Sequence, residues 1–488
     1  MPESTLGRQL AVFAAETPAT ALPAEVVDSV RNRVLDVVGL CVAAVDLPTS
    51  RAALEHVREQ GGLGRATAIG LPTPVPAPLA AFANGVLAHS LDYDDTHLPS
   101  VLHPSASVVP AALAAAELTG ASGAETVAAI AVGLEVCVRL GMAGYDRAAG
   151  NSVFFEHGQH ATSICGTLGG AVAAARLFGL DGDRTLDALG VAASMAAGLI
   201  EANRTGGTVK RIHCGWAAHS AVTAASLARH GITGPPTVLE GRFGFFEAFL
   251  RGEYDPAEIV RGLGVDWAVP DIFFKPYPAN HFTHAAIDAA LALRARGVTP
   301  QDVAQATLGV PTPVIRTIGQ PIDRKRRPAT GYEAQFSGPY AVAAGLHGGG
   351  VLGVGPDDFT DALAVEESRR AVMDRVEVVP DARCDRIFPY QFPAVLRVVT
   401  HDGREWTEEV LTNRGGPQRP LSRAELAVKF RHNVAGRLPE EVAASVEQEI
   451  GRLDRAPDVR RLTGLLAAAV PAAATAVATH DTPRGVKA

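Results

Sequence analysis

Apolar positions recur at three- and four-residue spacing along most of the chain, the period of a helix that buries one face. The stretch VVDSVRNRVLDVVGLCVAAV (26–45) shows it, with Asp28, Arg31 and Asp36 interrupting one side. Leu79–Ser90, Ala111–Leu118, AETVAAIAVGLEVCVRLGMAGYDRA (124–148), the apolar run after His160 and Leu186–Ala202 repeat the pattern, while GGLGRATAIGLPTPVPAP (61–78) carries the Gly and Pro of a loop. Near residue 270 the texture changes. RVEVVPDARC and AVLRVVTHDGREWTEEV read as extended pieces, and HDGR between alternating flanks predicts a hairpin. Before them GPYAVAAGLHGG reads as a helix. LSRAELAVKF then opens with Ser422 as an N-cap and Glu425 at the reciprocal third position. The pattern thus predicts a mainly α chain: a helical domain over 1–269, a smaller α+β domain over 270–405, and a helical part over 406–488 that rejoins the first.

One polar stretch breaks this texture. LDYDDTHLPSVLHPS (Leu91–Ser105) sets Asp92, Asp94, Asp95, Thr96, His97 and His103 between two apolar helix-like runs. Ionisable groups in such surroundings need partners or a task, so an enzyme centre is expected to open here. If Leu91–Thr96 continues a helix, Asp92, Asp95 and Thr96 share one face and Asp94 points elsewhere. One aspartate then moves a proton or orients substrate; the bland alternative is a helix cap or a held loop amide. His103, beside Pro104, is placed for acid/base work near neutral pH, with His97 as a supporting partner.

Three further places carry chemistry. His157 and His160 in EHGQH stand three apart, but without HExxH the set reads as an organic acid/base site around His160, not as a metal centre. Lys210, Arg211 and His213 lie together in VKRIH, and Lys275 sits between two phenylalanines and a Pro-Tyr-Pro turn. A lysine so placed either snorkels to solvent or pairs with an anion, and such cations can hold a carboxylate while charge develops beside it. Arg324–Arg327 reads as a solvated turn.

Composition narrows the class. The chain has 488 residues, 47% of them apolar, and a net charge of -8, which suits a soluble protein and argues against broad nucleic-acid binding. Five dispersed cysteines without a CxxC pair suggest free thiols in a reducing compartment, hence a cytoplasmic location. No secretion leader is read at the N-terminus, and the Ala-rich run from Leu462, split by Pro471, reads as a buried helix pair rather than a membrane span. Gly166, Gly169 and Gly170 lack the strand and GKS/GKT context of a phosphate loop, so close helix packing is their expected use. Ser105 and Ser163 lack G-x-S-x-G, and Asp92/Asp95 lack the second acidic segment of a Mg²⁺–diphosphate site.

LDYDDTHLPSVLHPS, GQHATSICGTLGGAVAAA, VKRIHCGWAAHSA, FKPYPANHFTHAAIDAA and QFSGPYAVA, in this order, resemble the MmgE/PrpD family over approximately residues 10–460. The resemblance implies a large all-helical domain formed by both chain ends, with the inserted α+β domain as a lid. It also implies a homodimer, no metal or organic cofactor, and a pocket between the domains. By motif it implies Asp92, His103, Lys275, His160 and Tyr340 as catalytic residues, with Thr96, Lys210 and Lys275 binding substrate; Tyr340 is added by resemblance alone. The expected activity is a lyase on a small di- or tricarboxylate through a carbanion, dehydration of a β-hydroxy acid standing first. Epimerisation or decarboxylation by the same machinery is the alternative, and a noncatalytic ligand-binding scaffold is the alternative from another class. The aspartate-to-histidine spacing is one residue longer than the family's DFDDTWHPATHPS form.

Overall fold

The computed structural model describes residues 4–202 and 207–469. Two apolar cores divide them. The larger gathers side chains from Leu10 to Ile272 and again from Phe430 to Ala469, so both ends of the described chain build the helical body. The smaller runs from Tyr277 to Val410. The part of the Ala-rich tail beyond Ala469, Pro471 included, lies outside the described residues.

In the body, helices Ala77–His89, Ser105–Thr119, Gly123–Ala143, Ala161–Leu177 and His213–Arg229 pack on one another. Small residues allow this closeness. A Cβ on Gly169 would stand 2.5 Å from the Gly133 carbonyl oxygen, and one on Gly85 2.7 Å from the Gly215 Cα. The glycines after His160 therefore serve helix contact, as expected. Gly123–Ala143 is long and apolar enough to cross a membrane and is buried inside this body. Its start is set by Ser122, whose hydroxyl accepts from the Glu125 amide.

The inserted domain carries a four-stranded sheet in the order Val376–Pro380, Val303–Val310, Ala394–Thr400, Glu405–Val410. The first pair is parallel and the other two antiparallel, the last being the hairpin expected around HDGR. Helix His284–Ala295 packs on the last two strands and against helix Gly338–His347. The sheet does not end at 405, where the sequence texture placed the boundary, but runs on to Val410. The capping box at Ser422 and Glu425 forms and opens helix Arg423–Val434.

One expectation is corrected. Leu91–Thr96 does not continue the preceding helix, which ends at His89. Asp92 takes a left-handed backbone (φ 51°), uncommon for a residue with a side chain. The shared helical face of Asp92, Asp95 and Thr96 is therefore absent. The turn instead points the Asp92 carbonyl and carboxylate at the same partner, the Lys275 ammonium.

Candidate active site

Lys275 lies between the last residue of the large core before the lid, Ile272, and the first of the small one, Tyr277. Its segment is tied to the aspartate loop by a pair of backbone bonds, Thr96 N to Phe273 O and Phe273 N to Thr96 O, each 2.8 Å. Lys429, from the returning C-terminal helix, completes the junction. Its buried ammonium pairs with Asp36 at 2.7 Å and donates to the carbonyls of Tyr93 (3.0 Å) and Lys275 (2.9 Å). One cation thus fixes three segments distant in sequence.

The three aspartates have different tasks. Asp95 pairs with Arg33 at 2.7 Å, both fully buried, and accepts from the Ser105 amide at 3.2 Å. Arg33 also donates to the carbonyls of Val269 and Ile272, so this pair holds the loop to the entry of the lid. Removing one partner of such a pair strands the other as a buried charge, at a cost of about 3–5 kcal/mol. Arg33→Leu is therefore expected to lower stability by that order in a denaturant titration, and the double variant Arg33→Leu/Asp95→Leu to recover much of it. Asp94 bonds His89 Nδ1 at 2.7 Å; despite burial, His89 and His103 hold its carboxyl below the usual range.

Asp92 is the aspartate that meets the cations. Its Oδ1 accepts from Lys275 Nζ at 2.8 Å and its Oδ2 lies 3.8 Å from Lys210 Nζ. Burial alone would raise its pKa, but Lys210, Lys275 and His103 outweigh it and hold the carboxyl well below the ordinary value. Asp92 therefore stays ionised between the two ammonium groups and anchors them. Lys275 has three N–H bonds and gives two to Asp92, leaving the third uncommitted among the described residues.

His103 Nδ1 lies 2.6 Å from the Asp95 carbonyl oxygen, with Thr96 Oγ1 at 3.3 Å. A carbonyl only accepts, so Nδ1 carries the hydrogen and Nε2 keeps its lone pair. Nε2 has no protein partner among the described residues. Desolvation, reinforced by Lys275, pushes this imidazole down to about 3 against the pull of Asp94. It is therefore uncharged at neutral pH.

His160 caps helix Ala161–Leu177 and its Nδ1 meets His213 Nδ1 at 2.9 Å. The rings of His89, His103, His160 and His213 form a chain with neighbouring centroids 4.9–5.8 Å apart. The structure thus brings together Asp92, Thr96, His103, His160, Lys210 and Lys275. It does not bring Tyr340 to them: that ring packs in the lid core, and its hydroxyl donates to the Asp358 carbonyl. His157 turns away to the Phe249 carbonyl. Ligand atoms of His89, Asp94 and Cys214 lie within 4.8 Å of one another, a spacing that can hold a metal ion.

Four participants escaped the sequence reading. His89 ends a helix next to the aspartate loop, a position that could have marked it. His281, buried in the lid entry, stacks on His284 at 4.3 Å with neither ring nitrogen hydrogen-bonded; the HFTH spacing after Lys275 was its only signal. Arg33 and Lys429 gave none, since a charge inside an amphipathic helix looks like its solvent face.

The MmgE/PrpD N-terminal domain model matches residues 8–257 and the C-terminal domain model residues 277–454. The chain is similar to the cis-aconitate decarboxylase of Homo sapiens, 31% identical over 406 residues and 80% of each chain. It is also similar to that of Aspergillus terreus (26% over 485 residues, 95% of this chain and 96% of the other). A cis-aconitate decarboxylase-like protein of Aspergillus oryzae is 26% identical over 484 residues, 95% and 98% of the two chains. With the family models spanning both the helical body and the lid, the chain belongs to the MmgE/PrpD family, and that membership supports lyase- or isomerase-type chemistry on small carboxylates.

Proposed function

We propose that the chain is a cofactor-independent lyase that removes a proton next to a carboxylate of a small di- or tricarboxylic acid, with dehydration of a β-hydroxy acid as the outcome. The observation that carries this reading is the tautomer of His103, whose free Nε2 lone pair belongs to a base kept neutral beside two ammonium groups. A carbanion next to a carboxylate is unstable unless cations already face the carboxyl oxygens, and preorganised charge is commonly the largest share of such stabilisation. Lys275, with one N–H to spare, and Lys210 supply it. Nε2 takes the proton, the C–H electron pair becomes the double bond, and the hydroxyl leaves as water by taking that proton back. Asp92 keeps the lysines in place, and Thr96 and His160 line the same wall.

Decarboxylation is the second reading, favoured by the names of the similar relatives. Carbon dioxide would then leave first, and His103 would have to hold a proton for the carbanion. Purified protein incubated in D₂O with a panel of hydroxy and unsaturated di- and tricarboxylates, followed by proton NMR, separates the cases. Dehydration gives new olefinic signals; carbon dioxide release marks decarboxylation, and deuterium uptake without product loss marks epimerisation. No exchange and no conversion across the panel would overturn the enzymatic reading.

A further inference from the structure

Arg211 follows Lys210 in the short helix Val209–Ile212 and is half-buried. Its guanidinium donates once, from Nη1 to Thr49 Oγ1 at 3.2 Å, and makes no ion pair with any described residue. Its plane lies over the ring of Tyr332, 4.9 Å from the centroid, and Tyr332 is carried by the lid. The same lid segment reaches Lys210: the Phe336 ring lies 5.5 Å from that ammonium and meets Tyr332 edge-on at 5.3 Å. Gln335 between them donates to the Leu91 carbonyl at 3.2 Å, one residue from Asp92. Two aromatic rings of the lid therefore roof two adjacent cations of the body. Lys210 is balanced by Asp92, whereas Arg211 is not balanced by any carboxylate among the described residues.

A guanidinium has five N–H donors in a fixed plane suited to a carboxylate, and only one of them is used among the described residues. Stacking on Tyr332 holds the plane without consuming donors. We propose that Arg211 is a second anion-binding position, at the contact of lid and body, that receives the carboxylate a tricarboxylic substrate has and a dicarboxylic one lacks, and so selects a tricarboxylate over a dicarboxylate. This rests on the reading of Asp92, His103, Lys210 and Lys275 as the reacting end.

The test is calorimetric binding of two unreactive probes, tricarballylate and glutarate, which differ by the central carboxylate, to the full chain and to Arg211→Gln and Arg211→Lys. The unmodified protein is expected to bind tricarballylate about tenfold more tightly than glutarate, one charge-assisted contact. Arg211→Gln is expected to abolish that preference while keeping glutarate affinity, and Arg211→Lys to restore part of it. An equal preference in all three proteins, or none in the unmodified one, overturns the assignment. Circular dichroism checks that each variant is folded. Because binding requires no turnover, failure here is separable from failure of the lyase reading, which the D₂O experiment reports independently.

Discussion

Lys275→Met is expected to lower turnover on the acidic substrate by about 10²-fold or more, the range seen when one preorganised charge-stabilising donor is removed. Methionine keeps much of the side-chain volume but loses the ammonium that meets the Asp92 carbonyl and carboxylate. The variant also leaves Asp92 with only the more distant Lys210, 3.8 Å away, so stability is expected to fall as well. The two effects can be told apart. In Asp92→Asn/Lys275→Met the stranded carboxylate is gone, although Lys210 also loses its counter-charge, and the thermal midpoint is expected to recover in part while turnover stays low. A double variant that regains both stability and turnover would show that Lys275 only balances Asp92 and plays no part in the reaction.

The sequence made the architecture legible because the two domains use different periods. The 3.6-residue pattern marked the helical body, and alternation marked the hairpin of Ala394–Thr400 with Glu405–Val410. Six of the seven named site residues also converge, since ionisable side chains in apolar runs have few bland uses. What was not legible follows from backbone geometry and long-range pairing. No local pattern announces that Asp92 takes a positive φ, and this single turn is what aims its carboxylate at two lysines. Tyr340 was read by motif, yet its hydroxyl is spent on the Asp358 carbonyl within the lid. Arg33 and Lys429 are helical charges that look solvated until partners hundreds of residues away are folded against them.

His103→Gln is expected to reduce kcat by about 10²–10⁴-fold, the usual contribution of a positioned acid/base group. A glutamine amide can still donate to the Asp95 carbonyl, so the loop is expected to keep its place while the basic nitrogen is lost. The pH profile of the unmodified protein adds a test that a structural role would not pass. A base works when deprotonated, and desolvation together with the Lys275 charge brings His103 down to about 3. Its lone pair is then already available well below neutrality, and protonation limits it only in strong acid. The free-enzyme value kcat/KM is accordingly expected to show no acid limb near the ordinary histidine value of about 6.5. A limb there that disappears in His103→Gln would mean that the imidazole is exposed to solvent in the working state. A variant with undiminished kcat would remove His103 from the reaction, and with it the proton-abstraction step on which dehydration depends.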